Sequence, residues 1–153
     1  MTQPVLGTLH DSPAAILAQV CLAKGWASLP TSLSTWPISV DSELAFPDNV
    51  MTLTNTEGVT SGRVQLTGQI SELYGVQLKI RAATSTEAFL QANEMAVNFD
   101  QNLYRYTTTI NTNSYRVGAI TRKGAPLALG REGSATKRYL YTINVIVDII
   151  QLS

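Results

Sequence analysis

The sequence predicts an α+β fold: one mostly antiparallel β-sheet with two helices packed on one face. Three observations point there. Tyr74–Ala82 alternates strictly, with Val76, Leu78 and Ile80 pointing one way and Gln77, Lys79 and Arg81 the other. Thr84–Leu103 repeats apolar residues at spacings of three and four, the mark of a helix with one packed side. Tyr139–Ile150 is a long run rich in β-branched residues and apolar on both faces, which suits a central strand.

The elements follow in chain order. Residues 1–11 read as a polar arm ahead of a single domain spanning 12–153. Ser12 offers an N-cap, Pro13 fits the first helical position and Gly25 can close the far end. A first helix over 13–24 then places Ile16, Leu17, Val20 and Cys21 on one face. Residues 26–47 are broken by Pro30, Pro37 and Pro47, with a short strand at Pro37–Val40 and with Trp26, Trp36 and Phe46 pinning the segment to the body. Asn49–Thr54 reads as a strand, Asn55–Gly58 and Ser61-Gly62 as turns, and Arg63–Thr67 as an extension of the sheet with Val64 and Leu66 on one face.

The second helix opens on a capping box, Thr84 with Glu87 three residues on. Its expected packed face is Phe89, Ala92, Ala96, Phe99 and Leu103, widened by Met95. Its expected wet side carries Gln91, Glu94, Asn98 and Gln101. Tyr106–Ile110 and Ser114–Ile120 form a hairpin around Asn111-Thr-Asn113, because Asn tolerates positive φ. The last strand aligns Tyr141, Ile143, Val145, Val147 and Ile149 on one face.

Charge is sparse and segregated. Charged residues make up 14% of the 153 residues, below the usual share of about 25%. Up to Asp100 nine acids face Lys24, Arg63, Lys79 and Arg81. Beyond it Arg105, Arg116, Arg122, Lys123, Arg131, Lys137 and Arg138 face only Glu132 and Asp148. A chain that is acidic in front and basic behind suits orientation in a ring or stack, or tracking of a polyanion.

The search for chemistry returns little. Gly124–Gly130 lacks the Lys-Ser/Thr that completes a phosphate loop, and there is no G-x-S-x-G elbow. One histidine, His10, and one cysteine, Cys21, build neither a metal site nor a disulfide, and Cys21 reads as a core residue. Asp41 and Glu43 share a strand face but read as a solvated edge. No catalytic residue, cofactor or metal is therefore assigned. No apolar run nears the roughly 20 residues of a membrane span and no basic signal segment opens the chain, so a soluble protein made inside the cell is expected. The late cations lie among Tyr104, Tyr106, Tyr115, Tyr139 and Tyr141, as in a nucleic-acid surface, yet zero net charge argues against tight binding to free DNA. Cross-strand packing is the plainer role for these tyrosines.

Phe46-Pro-Asp-Asn-Val-Met-Thr-Leu-Thr54, then Gly62–Gly68, then Tyr74–Ala82, the helix to Leu103, the hairpin, Ala125–Arg131 and a long last strand with Asn144 stand in a particular order. That order, over residues 45–150, resembles the minor capsid or tail-terminator family of tailed bacteriophages. The family often carries an acid directly after the Leu-Gly pair, where this chain has Arg131 and then Glu132, and Ala27–Leu44 matches no part of it.

The resemblance implies a virion structural protein and not an enzyme. It implies a ring, commonly a hexamer, at the head-proximal end of the tail tube, which stops tube growth and joins tail to head. The partners implied are copies of the chain itself, the tail tube protein, a head-completion or connector protein, and phage DNA that passes through the lumen without sequence-specific contacts. No cofactor and no membrane are implied. The expected location is the tail or neck of the virion, after synthesis in the bacterial cytoplasm. Two surfaces are candidates for the contacts. One is Gly124–Arg138 with Arg122 and Lys123, a loop carrying Arg131, Glu132, Lys137 and Arg138 that would order on assembly. The other is Gln77, Lys79 and Arg81, facing the lumen or a neighbour, with plain solvent exposure as the competing reading. A head-completion or tube subunit is the alternative within assembly proteins, and a small ligand- or nucleic-acid-binding module the alternative outside them.

Overall fold

The computed structural model describes residues 9–30, 35–45, 47–63, 70–131 and 138–152, with the backbone alone described for 59–63 and 70–72. It is an α+β structure, with two helices and seven strands among the described residues. Helix α1 spans Pro13–Ala23 and α2 spans Ser85–Gln101. The strands are β1 (Ile38–Val40), β2 (Val50–Arg63), β3 (Ile70–Ala82), β4 (Tyr106–Ile110), β5 (Asn113–Arg122), β6 (Leu127–Arg131) and β7 (Tyr139–Gln151).

Local chemistry sets the helix ends. The Ser12 hydroxyl accepts from Ala15 N at 3.2 Å, and Pro13 follows in the first turn. At the other end Trp26 N donates to Cys21 O and Gly25 N to Leu22 O, a Schellman closure that needs the φ of +76° Gly25 supplies. Helix α2 starts on Thr84, whose hydroxyl accepts from Glu87 N at 3.2 Å. Glu87 in turn accepts from the Thr84 hydroxyl and from the Asn49 amide, which ties the cap to the start of β2.

The sheet order is β1-β2-β3-β7-β5-β4, with β6 also paired to β7. Every pairing is antiparallel except β1 with β2. β7 is central, as its two apolar faces predict: β3 lies on one side, and β5 and then β6 lie along the other. Both helices cover one sheet face. Leu53, Val76, Leu78, Ile80, Ile143, Val145, Val147 and Ile149 meet Ile16, Leu17, Val20, Ala92, Met95 and Phe99 in one buried cluster. The edge-to-face contact of Trp26 with Phe99 joins the end of α1 to α2. Burial of apolar surface on this scale is the main force holding the layers together.

Three expectations need correction. Asn55–Gly58 and Ser61-Gly62 are not turns, because β2 runs through both to Arg63. Gly58 and Gly75 mark a close approach of β2 and β3 instead: a Cβ on Gly58 would strike the Leu73 carbonyl, and one on Gly75 the Glu57 carbonyl. The ladder shifts register there, between Thr56 and Val59. Val64 and Leu66 lie outside the described residues, as does Phe46.

The packed stripe of α2 holds Ala92, Met95, Ala96, Phe99 and Leu103 as expected, but takes in Ala88 and Gln91 and leaves out Phe89. Ala88, Gln91, Ala92, Met95, Ala96 and Phe99 are buried, whereas Phe89 is half exposed and meets Tyr141 edge to face. Small residues at 88, 92 and 96 let the helix lie close on the sheet. Gln91, expected on the wet side, sends its amide to Met51 Sδ at 3.5 Å.

The third correction concerns Gly124–Arg138. It is not a loop throughout, since Leu127–Arg131 forms β6 along the rim of β7. β5, β6 and β7 thus make one long hairpin-like ribbon, interrupted where Lys123 N donates to Asn144 O.

Of the arm, Leu9–Asp11 is described and lies on the body. Leu9 packs against the core, His10 N donates to the Gln151 side chain, and Asp11 bonds the Tyr115 hydroxyl through both its carboxylate and its N–H. Burial, and then the Asp11 carboxylate, push the Tyr115 phenol up to about 12.

Candidate assembly surface

The nine residues singled out as contact candidates separate into three groups. The first group is consumed by the fold. On the sheet face away from the helices, Arg81 is 2% exposed. Its guanidinium donates to Glu43 Oε1 at 2.9 Å and to the carbonyls of Asp48, Pro47 and Ala45 at 3.1, 2.8 and 3.2 Å. Lys79 Nζ reaches the other Glu43 oxygen at 2.9 Å. Arg138, at the foot of β7, donates to the same Ala45 carbonyl at 3.0 Å and lies 3.7 Å from Asp48 Oδ1. These three cations come together as a clasp on the 41–48 segment.

Partial burial pushes the Glu43 carboxyl up, but hydrogen bonding and charge from Lys79 and then Arg81 outweigh it and hold it below the usual carboxylate value. Arg81 therefore faces neither lumen, neighbour nor solvent, because the segment that leads into β2 folds back over it. Gln77, further along the face, donates to Asn144 Oδ1 at 3.2 Å and is half-buried. Asp41 and Glu43 do not act as a pair: Glu43 belongs to the clasp, and Asp41 sits at φ 68° just past β1.

The second group is Arg122. It forks onto Asp100 at the end of α2, with Nε and Nη2 2.8–3.1 Å from the two carboxylate oxygens, and Nη1 donates to Gly124 O. The hydrogen bonds it donates to the Asp100 carboxylate raise the guanidinium pKa further. Arg122 and Arg138 belong to the basic back of the chain, and Asp100 and Asp48 to its acidic front. Part of the charge segregation in the sequence is thus neutralised by folding, not by a neighbour.

The third group is open. All five residues of β6 are exposed, and so is Lys123. Arg131 projects from the end of β6, while Glu132 and Lys137 lie outside the described residues. Sequence reasoning about charges missed the apolar members of this rim, Leu127 at 56% and Leu129 at 50% exposed. It also missed the outer side of α2, where Leu90 and Val97 are exposed one heptad apart and Tyr104 follows at the same interval beyond the helix. The signal was present in the Leu-Ala-Leu of β6, which is out of place in a purely solvated loop.

No reactive cluster competes with this surface among the described residues. They hold no group of three His, Cys, Asp or Glu placed to bind a metal. Cys21 is fully buried, and desolvation pushes its thiol up to about 12, so it is a core residue without nucleophilic character. The depression beside Asp100, Ile120, Arg122 and Ala125 is shallow and floored by an ion pair already satisfied within the chain. No helix among the described residues is long and apolar enough to cross a membrane. Neither protein-family models nor curated proteins give a match to this chain.

Proposed function

We propose that this protein is a structural subunit of a tailed-phage virion, a tail terminator that forms a ring at the head-proximal end of the tail tube, stops tube growth and joins the tail to the head. The observation that carries the reading is the β6 rim: a strand with all five residues exposed, two of them leucines, at the open edge of a sheet. An edge of this kind is a template for another chain unless something covers it. The order of sequence blocks that resembles the tail-terminator family supplies the identity of what is assembled.

The physical logic of a terminator is a mismatch of faces. A tube grows while the upper face of each ring templates the next one, and growth stops when a ring fits the tube below and offers a different face above. Such a protein works through shape and through the charges it leaves outside its own fold, here Lys123 and Arg131. Phage DNA would pass through the ring without base-specific contacts.

The test is native mass spectrometry and negative-stain imaging of the purified chain, together with its detection in finished particles. A ring-sized mass and a place in the particle neck are expected. A monomer that is absent from particles and holds a small ligand tightly would replace this reading with that of a binding module. Replacing Arg131 and Lys137 together by Ala, with Arg138 kept because it holds the 41–48 segment, should leave a folded chain that fails to cap tails.

A further inference from the structure

Apart from the outer side of β4, the uncharged terminal strand, the described sheet has two open edges, and they face opposite ways. β6 is one. The other is β2 beyond Leu53, since β1 covers only Met51, Thr52 and Leu53. Asn55–Gly58 is exposed along that second edge, and no described strand pairs with it on the outer side.

Resting on the reading of a ring of copies, we propose that β6 of one copy pairs with the Thr54–Gly58 stretch of β2 in the next, so that the sheet continues from subunit to subunit. Strand direction allows it. β6 and β3 run against β7, and β2 runs with it. A rotation about a ring axis preserves these directions, so β6 meets the neighbouring β2 antiparallel, the stronger pairing.

The stagger is also fixed by register. Ala128 lies beside Tyr141, whereas Asn55 lies beside Val76, which lies beside Val145. Keeping both helix layers on one side of a continued sheet requires a stagger of even residue number. Placing Ala128 opposite Asn55 brings β6 against the strand end that β1 already occupies. Placing it one pleat further, opposite Glu57, leaves β6 clear of β1.

That second choice shifts neighbours by six residues, about 20 Å along the strand at about 3.3 Å per residue. Four strands per copy (β2, β3, β7 and β6) span about 19 Å sideways at about 4.8 Å each. The resulting strand tilt is about 45°, at the upper end of the range of roughly 35–45° in which curled sheets close on themselves.

Charge decides against the alternative of β6 meeting β6 across a two-fold axis. β6 carries Arg131 and no acid, with Lys123 just before it, while Thr54–Gly58 carries Glu57 and no cation. The head-to-tail pairing sets Glu57 on the same sheet face as Ala128 and Arg131, whose partners Tyr141 and Tyr139 lie two residues apart on β7. A two-fold pairing of β6 with β6 would offer Arg131 no acid within the paired strand.

Cysteine cross-linking tests this. Leu127→Cys and Thr56→Cys are placed together in the full chain, where buried Cys21 does not compete, and treated with a short bismaleimide. The expected result is a covalent ladder ending at the ring size measured by native mass spectrometry, with no linkage in either single variant. Arg131→Glu should raise the concentration for half-assembly about tenfold, and Glu57→Arg in the same chain should restore it. A ring without the ladder, or dimers linked in Leu127→Cys alone, overturns this contact while the ring reading stands. A chain that stays monomeric at every concentration overturns both.

Discussion

Arg81 on β3 and Arg131 on β6 are cations on strands that flank the same β7, yet they end in opposite states. Arg81 is covered, with four hydrogen bonds to Glu43 and three carbonyls. Arg131 is exposed. The difference lies in what precedes the strand partner. β3 pairs with β2, and the 41–48 segment that feeds β2 turns back across the sheet and brings its carbonyls to Arg81. β6 is paired on one side only, so nothing described covers its outer edge. One cation therefore works for the fold, and the other is left for whatever the molecule meets.

The sharpest way to break this comparison is Arg81→Ala. It strips a buried ion pair, leaves the Asp48 and Pro47 carbonyls without this donor and leaves Glu43 and the Ala45 carbonyl to Lys79 and Arg138 alone, so unfolding in urea should show a loss of about 3–5 kcal/mol. An unchanged midpoint would mean the clasp is ornamental. Glu43→Gln should cost less, about 1–3 kcal/mol, because the carbonyls still hold Arg81.

The clasp also makes a pH signature. The folded Glu43 carboxyl lies below its unfolded value, so its contribution is present above the ordinary carboxylate range and is lost as pH falls through the folded value. The stability gap between the parent chain and Glu43→Gln should accordingly close on acidification, a trend readable from denaturation midpoints between neutral and acid pH.

Gly75→Ala probes the same strand beyond the clasp. The added methyl meets the Glu57 carbonyl across the ladder, and overpacking of this kind should lower stability by about 1–3 kcal/mol. Thr84→Ala removes the α2 cap, with an expected thermal-melt penalty on the order of 1 kcal/mol.

Arg131→Ala stands at the far end of the scale. Stability should move by no more than about 0.5 kcal/mol, as for an ordinary surface change. The assembled fraction on a sizing column should fall. A large loss of monomer stability would place Arg131 with Arg81 and erase the contrast.

Much of the architecture was legible because it rests on local rules. Ser12-Pro13 and Gly25 bound α1, Thr84 and Glu87 start α2, and the positive φ of Asn111 turns the β4–β5 hairpin. Alternation in Tyr74–Ala82 identified the buried side of β3 correctly. The errors fell where a residue's role depends on a distant segment. Asn55–Gly58 has the composition of a turn, but the approach of Gly58 and Gly75 keeps it in a ladder. Phe89 fits a helical period as well as Ala88 does, and only the close seat of α2 on the sheet selects the smaller side chain for the core.

The candidate surface divides the same way. A run such as Gln77, Lys79 and Arg81 states which side of a strand is polar, and that much is local stereochemistry. Whether that side is wet, clasped or shared is not, because cover is supplied by chain far away in sequence. Sequence alone determined the two-layer α+β plan, the caps and the centrality of β7, since period and propensity act over a few residues. Tertiary structure alone decided that Arg81 is sealed beneath the 41–48 segment while the β6 rim stays open, since burial depends on which distant backbone arrives to satisfy or cover a group.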